Sequence, residues 1–217
     1  MDSPVSYQPY LDELIAFGSS ADRTPALIAA KAEYFDHTGE VFEDDKAFEM
    51  RMASFLDYYL FDRAGADGKT PAQELYDQKL QTLGADGAHV YRGFTETQHG
   101  LFEVKKMGTE QLRLRELFSG KDLEVTERRK MAGLEKGDLI EARLVPFGGM
   151  LLFSNAFCYH PKAATKAILK EIKRRKKKEP HRTPREMTWD CSKRALKVDR
   201  YRQIAVEKLY DFENKTI

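Results

Sequence analysis

The first 98 residues carry hydrophobic side chains at the spacing of helices, about 3.6 residues apart. One of the predicted helices has Thr24 as its N-cap, Pro25 as its first helical residue and Gly39 as its end. The apolar set of a later helix repeats with the same period and predicts core positions, namely Phe48, Met52, Phe55, Leu56, Tyr59 and Leu60. Helices are predicted over residues 7–17, 24–39, 43–63 and 70–83, with a short fifth over residues 88–98.

From residue 100 to residue 157 the hydrophobic period changes to two, which is typical of half-buried strands. Turn signals at Gly108, SGKD, EKGD and FGG separate the alternating segments. These segments predict five short strands in a meander or small barrel, and closure would remove exposed strand edges. The predicted strands lie in residues 101–107, 110–117, 122–128, 138–147 and 150–157.

Beyond residue 159 the pattern is helical again. A helix that starts at Pro161 carries Ala164, Ile168 and Ile172 on one face. The opposite face carries lysines at positions 162, 166, 170, 173 and 177. Thr183 and Glu186 have the spacing of a capping box and predict the start of a last amphipathic region.

The fold class predicted from these patterns is α+β. It has a helical N-terminal region over residues 1–98 and a central five-stranded antiparallel barrel-like sheet over residues 99–158. A helical, basic C-terminal region follows over residues 159–217. The pattern leaves open whether the three regions share one core.

Composition describes a soluble protein with a heavily charged surface, since 41% of the 217 residues are hydrophobic and 33% are charged. No apolar run approaches the roughly 18 residues that a membrane span requires. The first residues lack the basic start and apolar middle of a secretory signal. Two cysteines are too few for a disulfide framework, so we expect a cytoplasmic protein with no membrane partner.

Opposite charges are segregated along the chain, although the net charge is only +1. Residues 1–159 contain 18 Lys and Arg against 27 Asp and Glu, a net charge of −9. Residues 160–203 contain 16 Lys and Arg against 5 Asp and Glu, a net charge of +11. Such asymmetry predicts an anionic partner, which could also be the acidic part of the same chain.

The strongest candidate site is the basic run KEIKRRKKKEPHR over residues 170–182 with the helix that precedes it. Consecutive positive charges repel one another unless an anion lies nearby. Trp189 and Tyr201 could add aromatic stacking, but core packing is the more usual role of such residues. The predicted partner- or phosphate-binding residues are Lys166, Lys170, Lys173, Arg174, Arg175, Lys176, Lys177, Lys178 and Arg182.

The segment GADGKTP over residues 65–71 resembles part of a phosphate-binding P-loop without completing it. The motif needs a glycine at position 63, where the chain has Arg63. A turn at Gly68 and a capping box between Thr70 and Gln73 account for the same residues. The segment therefore predicts the start of a helix.

Metal-binding and nucleophilic residues are sparse in this sequence. Cys158 and His160 are closer in sequence than the usual zinc-ligand pair, and His181 and Cys191 are ten residues apart. We therefore predict Cys158 as a core residue at the end of a strand, and the histidines as solvated. No G-x-S-x-G elbow occurs. The sequence predicts no catalytic residue, no metal site, no cofactor and no enzyme.

Several fragments of the chain resemble an uncharacterised bacterial family, in which a helical N-terminal part precedes a small all-β unit. The matching fragments, within residues 58–204, are YYLFDRAGADGKTPAQELY, GLFEVKKM, LRLRELFSGKDLEVTER, LEKGDLIEARLVPFGG and ALKVDRYRQI. Some members carry a SEC-C zinc tail like that of the SecA translocation ATPase, but this chain lacks its clustered cysteines. The segment LEKGDLIEARLV is also similar to a strand entry in RNA-binding barrels of the S1 and TRAM kind, which implies a turn at Gly137 and Asp138.

Two functional hypotheses follow. The first is a non-enzymatic adaptor or inhibitor that binds a protein of opposite charge, and the absence of any catalytic motif favours it. The second is a protein that binds RNA or DNA through the basic helix over residues 161–178 and the β unit. Docking of the basic helix on the protein's own acidic part, or self-association, is a third use of the same charges.

Overall fold

The computed structural model describes residues 6–127, 133–181 and 183–213. Over these ranges the chain forms seven α-helices and a five-stranded sheet, so the prediction of a mixed α+β fold is confirmed. The helices are α1 Gln8–Gly18, α2 Thr24–Thr38, α3 Phe48–Phe61, α4 Pro71–Thr95, α5 Thr165–Lys178, α6 Pro184–Arg200 and α7 Val206–Leu209. The strands are β1 Gln98–Met107, β2 Gln111–Glu116, β3 Asp122–Thr126, β4 Leu139–Phe147 and β5 Met150–His160.

The five strands form a closed ring in the order β1-β2-β3-β5-β4, and β4 pairs back onto β1. The prediction of an antiparallel sheet is wrong for one pair, because β3 and β5 run parallel where Thr126 faces Leu152. The reason is geometric: strand direction cannot alternate at every pair of a closed ring with an odd number of strands. At least one parallel neighbour is therefore required, and the sheet is mixed.

Alternation along the strands separates the interior of the ring from its outer surface. On β2, Leu112 and Leu114 are buried inside, whereas Arg113 and Arg115 are exposed. On β4 both faces are buried, because helices cover the outer one. Outward-facing Val145 belongs to a hydrophobic cluster with α1–α4. The outer surface of β2 is thus open to solvent, and that of β4 is covered.

Helix α4 joins the two helices predicted over residues 70–83 and 88–98 into one element with a kink. Gly84 at the kink has φ 69°, a left-handed value that glycine adopts without steric cost. After the kink, α4 packs closely on β4. A Cβ on Gly93 would lie 2.1 Å from the carbonyl oxygen of Pro146, so only glycine allows this approach.

The predicted helix starts are confirmed in part. Thr70 and Gln73 form the expected capping box, with hydrogen bonds of 2.9 and 3.3 Å. Thr183 occupies the N-cap position of α6 but makes no capping hydrogen bond through its side chain, so the second predicted box is not formed. In α2, Thr24 is already helical and the N-cap is Arg23. No helix over the described ranges has the length and apolar character needed to cross a bilayer.

A buried arginine connects the sheet to the helical region. Arg143 on β4 is 1% exposed, and its guanidinium forms an ion pair with Asp62, the residue after α3. Its Nε lies 3.4 Å from Oδ2 of Asp57, and its Nη1 donates a hydrogen bond of 2.9 Å to Oγ1 of Thr97. A charge removed from water in this way requires partners of opposite charge.

The two carboxylates around Arg143 have different pKa shifts. Burial opposes the charged form of both, and at Asp57 it dominates and raises the pKa. At Asp62 the attraction of Arg143, with a smaller contribution from Arg185, outweighs burial and holds the pKa below its usual value. Asp62 is therefore the principal counterion of Arg143.

We expect the substitution Arg143→Met to lower the free energy of unfolding by about 3–5 kcal/mol, because the buried Asp57 and the partly buried Asp62 would lose their cation. The matched control is Arg113→Met, which removes an arginine from an exposed pair with Glu124 and should cost less than about 1 kcal/mol. Urea unfolding of both variants measures the difference. Equal losses would show that Arg143 contributes no more than a surface ion pair.

Candidate functional site

Helix α5 is amphipathic in the way that the sequence predicts. Ala164, just before the helix, Ile168 and Ile172 are buried in a hydrophobic cluster. That cluster includes Leu101 of β1 and Leu139 of β4, so α5 docks on the outer surface of the sheet. Docking in turn directs the other side of α5 toward solvent.

Six lysines of α5 are exposed: Lys166, Lys170, Lys173, Lys176, Lys177 and Lys178. Four of them form one stripe, because positions 166, 170, 173 and 177 fall within about 60° of one another around a helix. We call these four residues the lysine stripe. Its first and last members are separated by about 16 Å along the helix axis.

Two of the six lysines have partners in the described part of the chain. Lys170 lies 3.2 Å from Glu213, and both side chains of this pair are more than 70% exposed. Lys176 donates a hydrogen bond of 2.5 Å to the carbonyl oxygen of Phe118, in the turn between β2 and β3. Within the described residues, no side-chain hydrogen bond or ion pair involves the other four, which are Lys166, Lys173, Lys177 and Lys178.

The predicted site residues Arg174 and Arg175 bind carboxylates of their own chain. Both donate hydrogen bonds of 2.7 Å to Glu171, and Arg175 also lies 2.5 Å from Asp190 of α6. Arg174 makes a second ion pair, of 2.5 Å, with Glu179. Arg175 is buried, so this arginine anchors α5 to α6.

The remaining basic residues have different placements. Lys162 precedes α5, in a 3₁₀ turn, and lies 2.5 Å from Glu135, outside the lysine stripe. The predicted site residue Arg182 lies outside the described residues. Trp189 packs against the α1–α4 cluster and stacks on His37 at a centroid distance of 4.1 Å, which confirms the core role. Tyr201 is 44% exposed.

A cleft of about 830 Å³ lies beside the β2–β3 turn to which Lys176 binds. Its walls carry two cations, Lys121 and Arg185, and its lining also includes Asp62 and His99. Arg185 lies 3.5 Å from Asp62, the counterion of Arg143. The β2–β3 turn therefore lines the cleft and also contacts α5 through Lys176.

The exposed outer surface of β2 and β3 carries paired charges. Arg115 faces Asp122 at 2.8 Å, and Arg113 faces Glu124 at 3.3 Å. All four side chains are well exposed to water, so the pairs are weak and can be exchanged for other anions. No aromatic residue lies in β2 or β3. This surface therefore offers hydrogen bonds and charge rather than base stacking.

A second group of polar side chains, which includes His160, lies beneath α6. The sequence predicted that the histidines are solvated. His160 is buried, which overturns that prediction for this residue, whereas His181 is exposed as expected. Cys158 is partly buried near the end of β5, and Glu141 on β4 is paired with it in register. The sequence pattern did not single out Glu141 and Arg143 as functional residues. The signal that could have found them is the presence of two charged residues, two positions apart, in the otherwise apolar strand β4.

The model of a family of unknown function, DUF7986, matches residues 29–189. The match covers 161 of the 217 residues, well over half of the chain. The chain belongs to this family. The prediction of an uncharacterised family is thereby confirmed. No curated protein and no solved structure matches the chain.

The DUF7986 match includes α2 from residue 29 onward, α3, α4, all five strands, α5 and residues 184–189 of α6. It therefore contains both the ring of strands and the lysine stripe. A family with no known activity contributes no functional residues, so the properties of the site rest on its own geometry.

We expect Glu171→Gln to lower the free energy of unfolding by about 1–3 kcal/mol at pH 7, because Arg174 and Arg175 lose a charged acceptor. Hydrogen bonds from these arginines outweigh burial and hold the pKa of Glu171 below 4.5. The stability from the pair is therefore complete above pH 4.5 and is lost as pH falls through the lowered pKa.

The measurement is urea unfolding of the wild type and of Glu171→Gln from pH 7 to pH 3. The difference in the free energy of unfolding between the wild type and Glu171→Gln should become smaller below pH 4.5. Glu49→Gln, which changes an exposed glutamate in the first turn of α3, is the control and should show little difference at any pH. A difference for Glu171→Gln that stays constant down to pH 3 would contradict the role of its charge.

Proposed function

We propose that this protein binds nucleic acid without catalysing a reaction, and that the lysine stripe holds the phosphates. The observation that carries this proposal is the separation of cations on α5. Its arginines bind carboxylates within the chain, while Lys166, Lys173 and Lys177 are exposed and make no ion pair with any residue that the structure describes. Lysine ammonium groups in line are suited to a phosphate backbone, and each contact releases condensed counterions.

The strand order supports the same proposal. A closed five-stranded ring in the order β1-β2-β3-β5-β4, with a parallel β3–β5 pair, is the arrangement of OB-fold barrels. Barrels of this type bind oligonucleotides through the face of strands 2 and 3 and the adjoining loops. In this protein that face is the exposed one. Because one barrel type serves many functions, the strand order adds support but is not sufficient alone.

The resemblance to S1 and TRAM barrels corresponds to β4. The predicted turn is present, since Gly137 has φ 90° and its amide donates a hydrogen bond of 2.8 Å to the carbonyl oxygen of Val104. Leu139 then begins the strand that closes the ring. The position of this fragment in the barrel is therefore consistent with the proposal.

The mode of binding follows from what surrounds the lysine stripe. Arg113 and Arg115 can exchange their exposed carboxylate partners for phosphates, and β2 and β3 carry no stacking platform. We therefore expect binding that depends on salt and has little preference for base sequence.

The test is a filter-binding assay with labelled single-stranded RNA, single-stranded DNA and duplex DNA of mixed sequence, across a range of salt concentrations. The variant Lys173→Gln with Lys177→Gln removes two stripe charges. Loss of two phosphate contacts should reduce the slope of log K against log salt concentration by roughly 1.4–1.8. The matched control, Lys31→Gln with Lys46→Gln, removes two exposed lysines from the helical region and should leave the slope unchanged.

Two results would overturn the proposal: no retention of any of the three nucleic acids at low salt, or equal slopes for the two double variants. The cytoplasmic adaptor or inhibitor that binds a protein of opposite charge stays a prediction. A stoichiometric partner that survives nuclease treatment, and is lost with Lys173→Gln and Lys177→Gln, would favour that function. Loss of a dimer in the same variant would instead assign the lysines to self-association.

A further inference from the structure

Three side chains with metal-binding atoms converge on the outer surface of β4 and β5. Glu141 and Cys158 are directly paired across the two strands. His160 is two residues after Cys158, so its side chain is on the same face of β5. A carboxylate oxygen of Glu141, the Sγ of Cys158 and a ring nitrogen of His160 all lie within 4.8 Å of one another.

One nitrogen of His160 has no hydrogen-bond partner in the part of the chain that the structure describes. His160 is 5% exposed, and its Nδ1 lies 2.9 Å from the hydroxyl oxygen of Tyr210. Its Nε2 is buried with no hydrogen-bond partner among the described residues. A buried polar atom left in this state costs free energy, so its presence points to a ligand. If Nδ1–H donates to Tyr210, Nε2 carries the free lone pair that a metal ion needs.

The carboxylate of Glu141 is held in position by two polar contacts. One of its oxygens lies 3.1 Å from Nε2 of His99, and the other accepts a hydrogen bond from the hydroxyl of Ser192 on α6. In known metal sites, hydrogen-bond partners of this kind contact the metal-binding side chains and orient them toward the ion.

The side of the cluster at Cys158 is accessible. A cavity of about 160 Å³ is lined by Cys158, Ser192 and Asp199, among others, and Cys158 itself is only partly buried. The cavity gives an ion a route to the thiol and leaves room for a water molecule or another small ligand. Three protein ligands with one open position are the arrangement of catalytic rather than closed structural zinc sites.

We propose that Glu141, Cys158 and His160 form a binding site for one divalent transition-metal ion of the zinc class. A thiolate, an imidazole and a carboxylate together favour Zn²⁺ over Mg²⁺ or Ca²⁺, which prefer oxygen ligands alone. As the ion binds, the Cys158 thiol releases its proton to solvent, and the thiolate and carboxylate neutralise the two positive charges. Tetrahedral geometry requires donors roughly 3.5 Å apart, which small side-chain rotations would provide.

The site is independent of the lysine stripe, because none of its three ligands belongs to α5. It also differs from what sequence spacing suggested. The third donor, Glu141, comes from a different strand. Cys158 and His160 are only two residues apart, which is too close for a pair of ligands on a helix or loop, but a strand places residues i and i+2 on the same face.

The experiment is a titration of the untagged, chelator-treated full-length protein with Co²⁺ as a spectroscopic stand-in for Zn²⁺. Wild-type protein should gain a thiolate-to-cobalt absorption that saturates at one ion per chain, and Zn²⁺ should displace it. Cys158→Ser should abolish this absorption, and His160→Gln should weaken binding at least tenfold. The matched control is Cys191→Ala, which removes the other cysteine, in the core beside α5, and should bind as the wild type does.

A second measurement needs no variant. Zn²⁺ should protect Cys158 of the wild type from alkylation, as read from peptide masses, while Mg²⁺ should not. Absence of the cobalt absorption in the wild type, its persistence in Cys158→Ser, or equal alkylation with and without Zn²⁺ would each overturn the proposal. In that case Glu141, Cys158 and His160 would be a buried polar contact and no more.

Discussion

The way the helical region sits on the sheet depends on the buried guanidinium of Arg143. Arg143 lies on the covered face of β4 and is neutralised by acids at the end of α3. Because a buried ion without its counterion is costly, this contact restricts how the helical region can sit on the ring of strands. The restriction decides which surfaces remain open: β4 is covered on both faces, while the outer face of β2 stays exposed.

The arginines and the lysines of α5 differ in what they contact. The planar fork of arginine suits paired carboxylates, and Arg174 and Arg175 bind Glu171 in this way. The ammonium groups of lysine are compact and strongly hydrated, and those of the lysine stripe remain in water. A run of like charge is thus divided in two. Part of it attaches the helix to the protein, and the rest is exposed to solvent.

Helix α6 lies next to both proposed sites. Asp190 on α6 anchors Arg175 of α5, and Ser192, two residues further on, donates to Glu141 in the proposed metal site. The two proposals nevertheless rest on separate observations. One rests on exposed ammonium groups and the other on a buried nitrogen, and neither kind of atom has a partner within residues 6–127, 133–181 and 183–213.

Local chemistry was sufficient to predict the elements of this protein and the two faces of α5. The Thr70 capping box, the turn at Gly137 and the buried set Ile168 and Ile172 depend on residues close together in sequence. Only tertiary structure decided the parallel β3–β5 pair, which follows from closing an odd number of strands into a ring. It also decided the partners of Arg143 and the meeting of Glu141 with Cys158. Such contacts join residues far apart in the chain, and local periodicity carries no information about which strand or helix will lie alongside another.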